Sequence, residues 1–401
     1  MWVSLMVVKR DVDILFISSR GSQYRYYQAL SAVNYFSSLV VTLFPGLGFK
    51  VFNTGLSLSL IKQGIDFHLK RKQRKYGGVK PVGAVWWAYV FFSACYFSVI
   101  YLKFKYVFSK NTPKVVCMWN GHRLPEMAIR AASKGHEIRI AYFENGLLPQ
   151  TTTLDFSGVN AFSSIPRAAE FYERYSQNND CRSLVSTSLL SRKPHKYKTE
   201  ISGSMGGVGR YIFIPFQVNF DSQVIINSPW LNSMESFYSM LLSVVDLIDS
   251  ELTFVIKEHP SDPRVYKECY VGHSRIKFVA SDTEGLIRGA EAIITLNSSV
   301  GIEAAMLERK VVVLGNACYA IDGIMQVAQT EVELVDIIND IHNWSPNIET
   351  TRAFFSYLKA DYLLPGSWQD QIKGVEVGHR VCFENKIKAV VSWGGVLDLS
   401  N

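Results

Sequence analysis

Short apolar runs alternate with amphipathic stretches along most of the chain, and this alternation predicts strands separated by helices. Asp13 to Ser18 is an apolar run closed by Arg20, Gly21 and Ser22 and followed by a helix-like stretch, which reads as strand, turn and helix. Val115 to Trp119 and Ile138 to Phe143 read as further strands, with a helix over Leu124 to Ser133 between them, so a parallel N-terminal sheet is expected. A second series is clearer. Tyr211 to Phe216, Thr253 to Ile256, Ile276 to Val279, Ala292 to Leu296 and Val311 to Leu314 are strand-like, and Met234 to Ile248 is one of the amphipathic stretches between them.

The expected architecture is α/β and GT-B-like: two doubly wound parallel-sheet domains facing a cleft. The chain has 401 residues, enough for two cores. A polar stretch over 191–209 places the boundary, giving an N-terminal domain over 1–200 and a C-terminal domain over 209–401 whose last helix can cross back. Open parallel sheets bind ligands at the carboxyl ends of their strands. That rule directs attention to the residues that follow each run.

One segment breaks the pattern. Over 62–106 the N-terminal domain carries an insertion in which Lys70, Arg71, Lys72, Arg74 and Lys75 precede an uncharged, aromatic-rich stretch from Val82 to Leu102. The basic run suits a solvated face or anionic lipid headgroups better than nucleic acid, since no recognition module accompanies it. The aromatic stretch is long enough to span a bilayer, but a span would divide the N-terminal sheet. A membrane-associating helix lying on the surface beside the basic run is therefore preferred to a buried core helix or a true span.

Composition adds little beyond confirming a folded chain: 48% of residues are hydrophobic, 19% are charged and the formal net charge is +7. Met1 to Arg10 is too short an apolar stretch for a secretory signal, and a cytoplasmic location, peripheral on the inner face of a bacterial inner membrane, is expected. The six cysteines are scattered without the spacing of a zinc site or a disulfide framework.

Candidate chemistry follows the strand ends. In Thr295 to Ala305 a strand ends in Ser298 and Ser299 as a helix begins, where hydroxyls and unpaired backbone N–H groups can hold a phosphate. Glu303, one turn on and expected on the exposed side, can accept from ribose hydroxyls; the plainer alternative is that Asn297 or Ser298 only caps the helix. Lys257, His259 and Pro260 close another strand, where the cation and imidazole can meet an anionic donor and His259 can protonate its departing phosphate, or serve structure alone. Gln217 and Asp221 follow a third strand, with turn and cap chemistry as their alternative. In the first domain Asn120, Arg123, Glu144 and Asn145 follow strands in the same way and are expected to face the cleft.

Taken together these segments resemble the capsule polysaccharide biosynthesis family, the β-Kdo transferases of the KpsS and KpsC type, and KpsS more closely. The resemblance rests on Phe143 to Asp155, Gly158 to Asn160 with Ser163 to Arg167, Pro215 to Gln217 with Asp221 to Gln223, Lys257 to Pro260, and Asn297 to Ala304. It implies a GT-B-like enzyme that moves β-Kdo from CMP-Kdo to a phosphatidylglycerol-type lipid, or its lyso form, with retention. It also implies that His259, Ser298, Ser299, Lys257 and Glu303 serve the nucleotide. Where KpsC-type enzymes carry Glu-Asp-Gly with an Asp nucleophile, this chain has Asn145, so Glu144, Asp155 or an internal-return path is left to do that work. No cofactor or metal is expected, and the expected partners are the lipid acceptor, an anionic membrane surface and a capsule biosynthesis or export complex, with no nucleic acid. A CDP-glycerol glycerophosphotransferase and a non-catalytic scaffold of the capsule assembly are the rival readings.

Overall fold

A computed structural model describes residues 12–43, 55–75, 83–181 and 205–391 apart from Val265 and Val271. Met1 to Arg10, residues 76–82 of the insertion and most of the 191–209 stretch lie outside the described residues. The chain forms two compact units, one made of residues 1–164 with 362–401, the other of residues 165–361. The division thus falls at Ser164, ahead of the expected boundary, because the helix over Ala169–Asn178 packs Phe171 and Tyr172 on Phe354 and Tyr357 of the second unit.

The first unit begins with β1 (Ile14–Ser18), α1 (Gly21–Val33) and β2 (Ser38–Thr42). There follow α2 (Leu58–Lys75), α3 (Ala84–Lys110), β3 (Val115–Trp119), α4 (Leu124–Ser133), β4 (Arg139–Asn145) and β5 (Thr151–Asp155). Every residue of β1 and β3 is buried, as expected for central strands covered on both faces. β1 to β4 pair in parallel, but β5 runs antiparallel to β4, so the sheet is mixed and not wholly parallel as the sequence suggested. The reason is a tight turn. Gly146 donates its N–H to Thr151 O at 3.0 Å, and a Cβ on Gly146 would lie 1.8 Å from Thr151 Oγ1, so only glycine lets the chain fold back there.

The insertion is two helices of different character. α3 buries Phe97, Ile100, Tyr101, Phe104 and Phe108 in its carboxyl-terminal half, a helical spacing that fits one face to the sheet and α4. Each such aromatic contributes on the order of 2 kcal/mol by leaving water. Its amino-terminal half instead leaves Val85, Trp87, Phe91 and Phe92 exposed. α3 is long and apolar enough to cross a membrane, with a mean hydropathy of 1.6 over its most apolar window. Yet its carboxyl-terminal half presents one face to the core.

The second unit contains α5 (Ala169–Asn178), β6 (Tyr211–Pro215), α6 (Ser222–Ile226), α7 (Met234–Val244), β7 (Thr253–Lys257), β8 (Ile276–Phe278) and α8 (Thr283–Gly289). It continues with β9 (Ala292–Thr295), α9 (Ser299–Met306), β10 (Val311–Val313), β11 (Gln326–Val327), α10 (Glu331–Asn339) and α11 (Ile348–Tyr357). Its sheet has the order β11-β10-β9-β6-β7-β8, and every pairing is parallel. All its carboxyl ends therefore share one edge, with the loops after β9 and β7 flanking the loop after β6. α7 stops at Val244, short of the Ile248 read from the pattern, after a start fixed by a capping box between Ser233 and Ser236.

The chain then returns to the first unit. β12 (Leu364–Pro365) pairs antiparallel with β5, and α12 (Val377–Val391) buries Phe383 and Ile387 against Ile14, Phe16 and Tyr26. His379 fixes this helix with Nε2 to the Tyr26 hydroxyl at 2.8 Å and Nδ1 to Pro365 O at 2.7 Å.

Candidate functional site

In the second unit the centre of the sheet edge is held by Asn297. Its side-chain oxygen accepts from Gln217 Nε2 at 2.9 Å, its backbone N–H donates to Gln217 Oε1 at 3.2 Å, and its Nδ2 donates to Gln223 O at 2.9 Å and Asn227 O at 3.1 Å. Both Gln217 and Asn297 are buried, so Gln217 positions the strand end and does not itself line an open surface. This pairing brings the loops after β6 and β9 together. Asp221 likewise proves to be a cap, accepting from Gln223 N at 2.9 Å at the start of α6.

Ser298 caps α9, accepting from Val300 N at 3.2 Å, while its carbonyl takes the Tyr319 hydroxyl. Gly301 allows that close approach, since a Cβ there would meet Tyr319 at 2.8 Å. Ser299, the first helical residue, is exposed. Glu303 lies on the buried side of α9 at 8% exposure, not on the open side expected, because nearly the whole of this short helix is enclosed.

On the other flank, Lys257 ends β7 and donates to Ser281 O at 2.7 Å and Thr283 Oγ1 at 2.9 Å. His259 is half-buried, and its Nδ1 accepts from Ser261 N at 3.1 Å, which places the ring proton on Nε2 and makes that atom a hydrogen-bond donor. Pro260 turns the chain immediately after it. A buried carboxylate that the sequence did not single out braces this loop. Asp262, at 1% exposure, accepts from Asn219 N, the Tyr266 hydroxyl and Arg264 N, each at 3.1 Å. Its Asp-Pro dipeptide had the look of an ordinary turn.

In the first unit the turns after β1 and β3, the first turn of α4 and the end of β4 bring Arg20, Asn120, Arg123, Glu126 and Glu144 together. Asn120 sits in the left-handed region at φ 59° and donates its side-chain amide to Glu144 Oε2 at 2.8 Å, while Glu144 Oε1 accepts from Asn145 N at 2.9 Å. Gly121 follows at φ 88°, with the Tyr142 ring 2.5 Å from where a Cβ would be. Asn145 is exposed, but its side-chain oxygen is engaged: Asn145 Oδ1 accepts from Trp368 Nε1 at 2.9 Å. Glu126 is buried and accepts from Ser19 Oγ at 2.9 Å, and burial raises its pKa. Partial desolvation, then the charge of Arg123, holds the Arg20 pKa below its usual value.

Asp155 requires a correction. Expected at the cleft as a candidate nucleophile, it is buried at 2% exposure and accepts from Ser157 N, Gly158 N, Ser164 N, Ser164 Oγ and the Tyr362 hydroxyl. A carboxylate with so many donors is a structural anchor. Arg20 and Glu126 were the residues missed, although Arg20 stands two positions beyond the end of β1 and obeys the same strand-end rule that found Asn120 and Glu144.

Residues 192–366 match the capsule polysaccharide biosynthesis protein family. The chain is 32% identical over 271 residues to Protein FixF of Sinorhizobium fredii, a match covering 67% of this chain and 65% of FixF, so it spans just under two thirds of that relative. It is 26% identical over 271 residues to the capsule polysaccharide export protein KpsS of Escherichia coli, covering 52% of this chain and 69% of KpsS. Among solved structures, the KpsC β-Kdo 2,7-transferase of Thermosulfurimonas dismutans aligns with a TM-score of 0.41 at 15% identity, over 63% of this chain and 78% of that one. On the sequence match, the chain is similar to the capsule polysaccharide biosynthesis protein family over the segment 192–366, somewhat under half of its length.

Proposed function

We propose that the protein is a GT-B-like, retaining glycosyltransferase that moves β-Kdo from CMP-Kdo to a phosphatidylglycerol-type lipid, or its lyso form. The second unit takes the donor nucleotide and the first takes the acceptor. The observation that carries this reading is the shared edge of the second sheet, where the loops after β7 and β9 flank the loop after β6 and bring Lys257, His259, Ser298 and Ser299 to the carboxyl ends of the two strands either side of β6. The Nε2–H of His259, the start of α9 and the exposed Ser299 hydroxyl suit the oxygens of a nucleoside monophosphate.

In the transfer, the bond between the anomeric carbon and the CMP phosphate oxygen breaks and CMP leaves with the electron pair. An acceptor hydroxyl oxygen bonds to that carbon on the face the phosphate leaves, which retains the configuration, and its proton passes to the departing CMP phosphate. Glu144 is the first unit's candidate carboxylate for this chemistry, since Asn145 is engaged with Trp368 and Asp155 is enclosed. The basic end of α2 and the exposed aromatics of α3 support a peripheral position on the cytoplasmic face of a bacterial inner membrane, alongside a capsule biosynthesis or export complex.

Mass spectrometry of a synthetic lysophosphatidylglycerol incubated with CMP-Kdo and the protein tests the proposal. A mass increase of one Kdo residue supports it. Transfer from CDP-glycerol instead, or no product from either donor, overturns it.

A further inference from the structure

α2 and α3 do more than expose an apolar face. Together with the turn after β1 and the start of α4 they enclose a cavity of about 410 Å³ whose lining includes Arg20, Arg71, Phe67, Phe92, Tyr96 and Arg123. The cationic groups come from three separate elements, and the aromatic wall is continuous with the exposed rings of α3. Among the described residues neither Arg20 nor Arg123 makes an ion pair. The nearest acids are otherwise engaged: Glu126 is buried with Ser19, and Glu144 is held by Asn120. Two guanidiniums at the mouth of an aromatic-lined cavity, with Arg123 close enough to disfavour the charge of Arg20, form a place where an anion with an apolar tail is complementary at both ends.

We propose that this cavity seats the lipid acceptor: an anionic phospholipid whose phosphate lies between Arg20 and Arg123 and whose acyl chain runs along Phe67, Phe92 and Tyr96. This rests on the lipid-acceptor reading above and adds the residues that recognise it. Arg71, the member of the basic run that lines the cavity, meets the same headgroup. The location matters chemically. Arg20 senses the charge of Glu144, so a headgroup held by Arg20 lies beside the carboxylate assigned to transfer.

Binding measured without any donor separates this site from the transfer reaction. Isothermal titration with dihexanoyl-phosphatidylglycerol below its micelle concentration is expected to show one saturable site. The Arg20→Gln, Arg123→Gln double variant is expected to bind at least tenfold more weakly with its melting temperature and CMP affinity unchanged. Glycerophosphoglycerol and inorganic phosphate, which lack the chain, are expected to bind at least tenfold more weakly than the lipid. In the wild-type protein, a phosphatidylglycerol carrying a diazirine in its acyl chain is expected to label peptides containing Phe67, Phe92 or Tyr96, a readout that stands even should the double variant fail to fold.

Equal binding of phosphate and lipid would reduce the cavity to a simple anion site and overturn the proposal. So would full lipid affinity in a folded double variant, labelling confined to other segments, or adsorption to phosphatidylglycerol vesicles without binding of the monomeric lipid. Lipid binding that persists while CMP-Kdo yields no product would leave this site standing and sink the transferase reading alone.

Discussion

Asn120, just after β3, and Glu144, near the end of β4, are joined by a 2.8 Å hydrogen bond from the amide of one to the carboxylate of the other. Asn120 can do this only because its backbone takes φ 59°, a conformation that asparagine tolerates better than most residues. Two substitutions separate the backbone from the side chain. Asn120→Gly keeps the conformation and loses the amide; Asn120→Ala loses both and carries a left-handed penalty of about 1 kcal/mol. Both are expected to lower Kdo transfer at least tenfold, and only the alanine variant is expected to melt earlier.

Glu144→Gln is expected to abolish turnover while leaving CMP affinity within about twofold, since it removes the carboxylate and keeps the shape. Retention of near-normal turnover would remove Glu144 from its assigned role. Titration of CMP alongside a product assay distinguishes the two effects.

For the nucleotide end, His259→Ala removes a donor at the rim of the fold and is expected to weaken CMP binding at least tenfold with little change in melting temperature. Gln217→Ala should behave differently. It strips a partner from the buried Asn297, so a stability loss of about 1–3 kcal/mol is expected, measured by chemical denaturation.

Asp155 and Tyr362 provide the contrasting case of a carboxylate that serves architecture. Tyr362→Phe removes one charge-assisted bond and is expected to cost about 1.5–3 kcal/mol of stability. CMP affinity should not move. Turnover measured well below the melting temperature should fall little, in contrast to Glu144→Gln.

His122 gives the fold an acid-sensitive element. Burial, aided by the charge of Arg130, lowers its pKa to about 4 from an ordinary 6.5, so between those values the unfolded chain binds a proton that the folded chain refuses. Stability is therefore expected to fall as pH drops from 6.5 toward 4, by about 3 kcal/mol at most, and to lose no more from this ring below that. Glu126, raised by burial, has the opposite slope. The difference between wild type and His122→Gln, read from melting curves across the range, isolates the histidine.

The parallel sheet of the second unit was legible because its main strands are apolar runs punctuated by amphipathic helices. In the first unit β2, β5 and β12 were not legible. β12 is two residues long and includes Pro365, and its place is set by pairing with β5, more than two hundred positions earlier. The residues after strand ends were equally legible by type. Their roles were not, because role depends on partners brought from afar: Trp368 for Asn145, Tyr362 for Asp155, Gln217 for Asn297. Pattern shows which residues reach a sheet edge, and packing decides which of them are already spoken for.

Because β12 and α12 complete the first unit only after residues 165–361 have been made, synthesis order and assembly order diverge. The second unit can close its sheet on the ribosome as it emerges. The N-terminal strands must wait with Ile14, Phe16 and Tyr26 lacking their cover from Phe383 and Ile387, so the half that begins first is the half that finishes last.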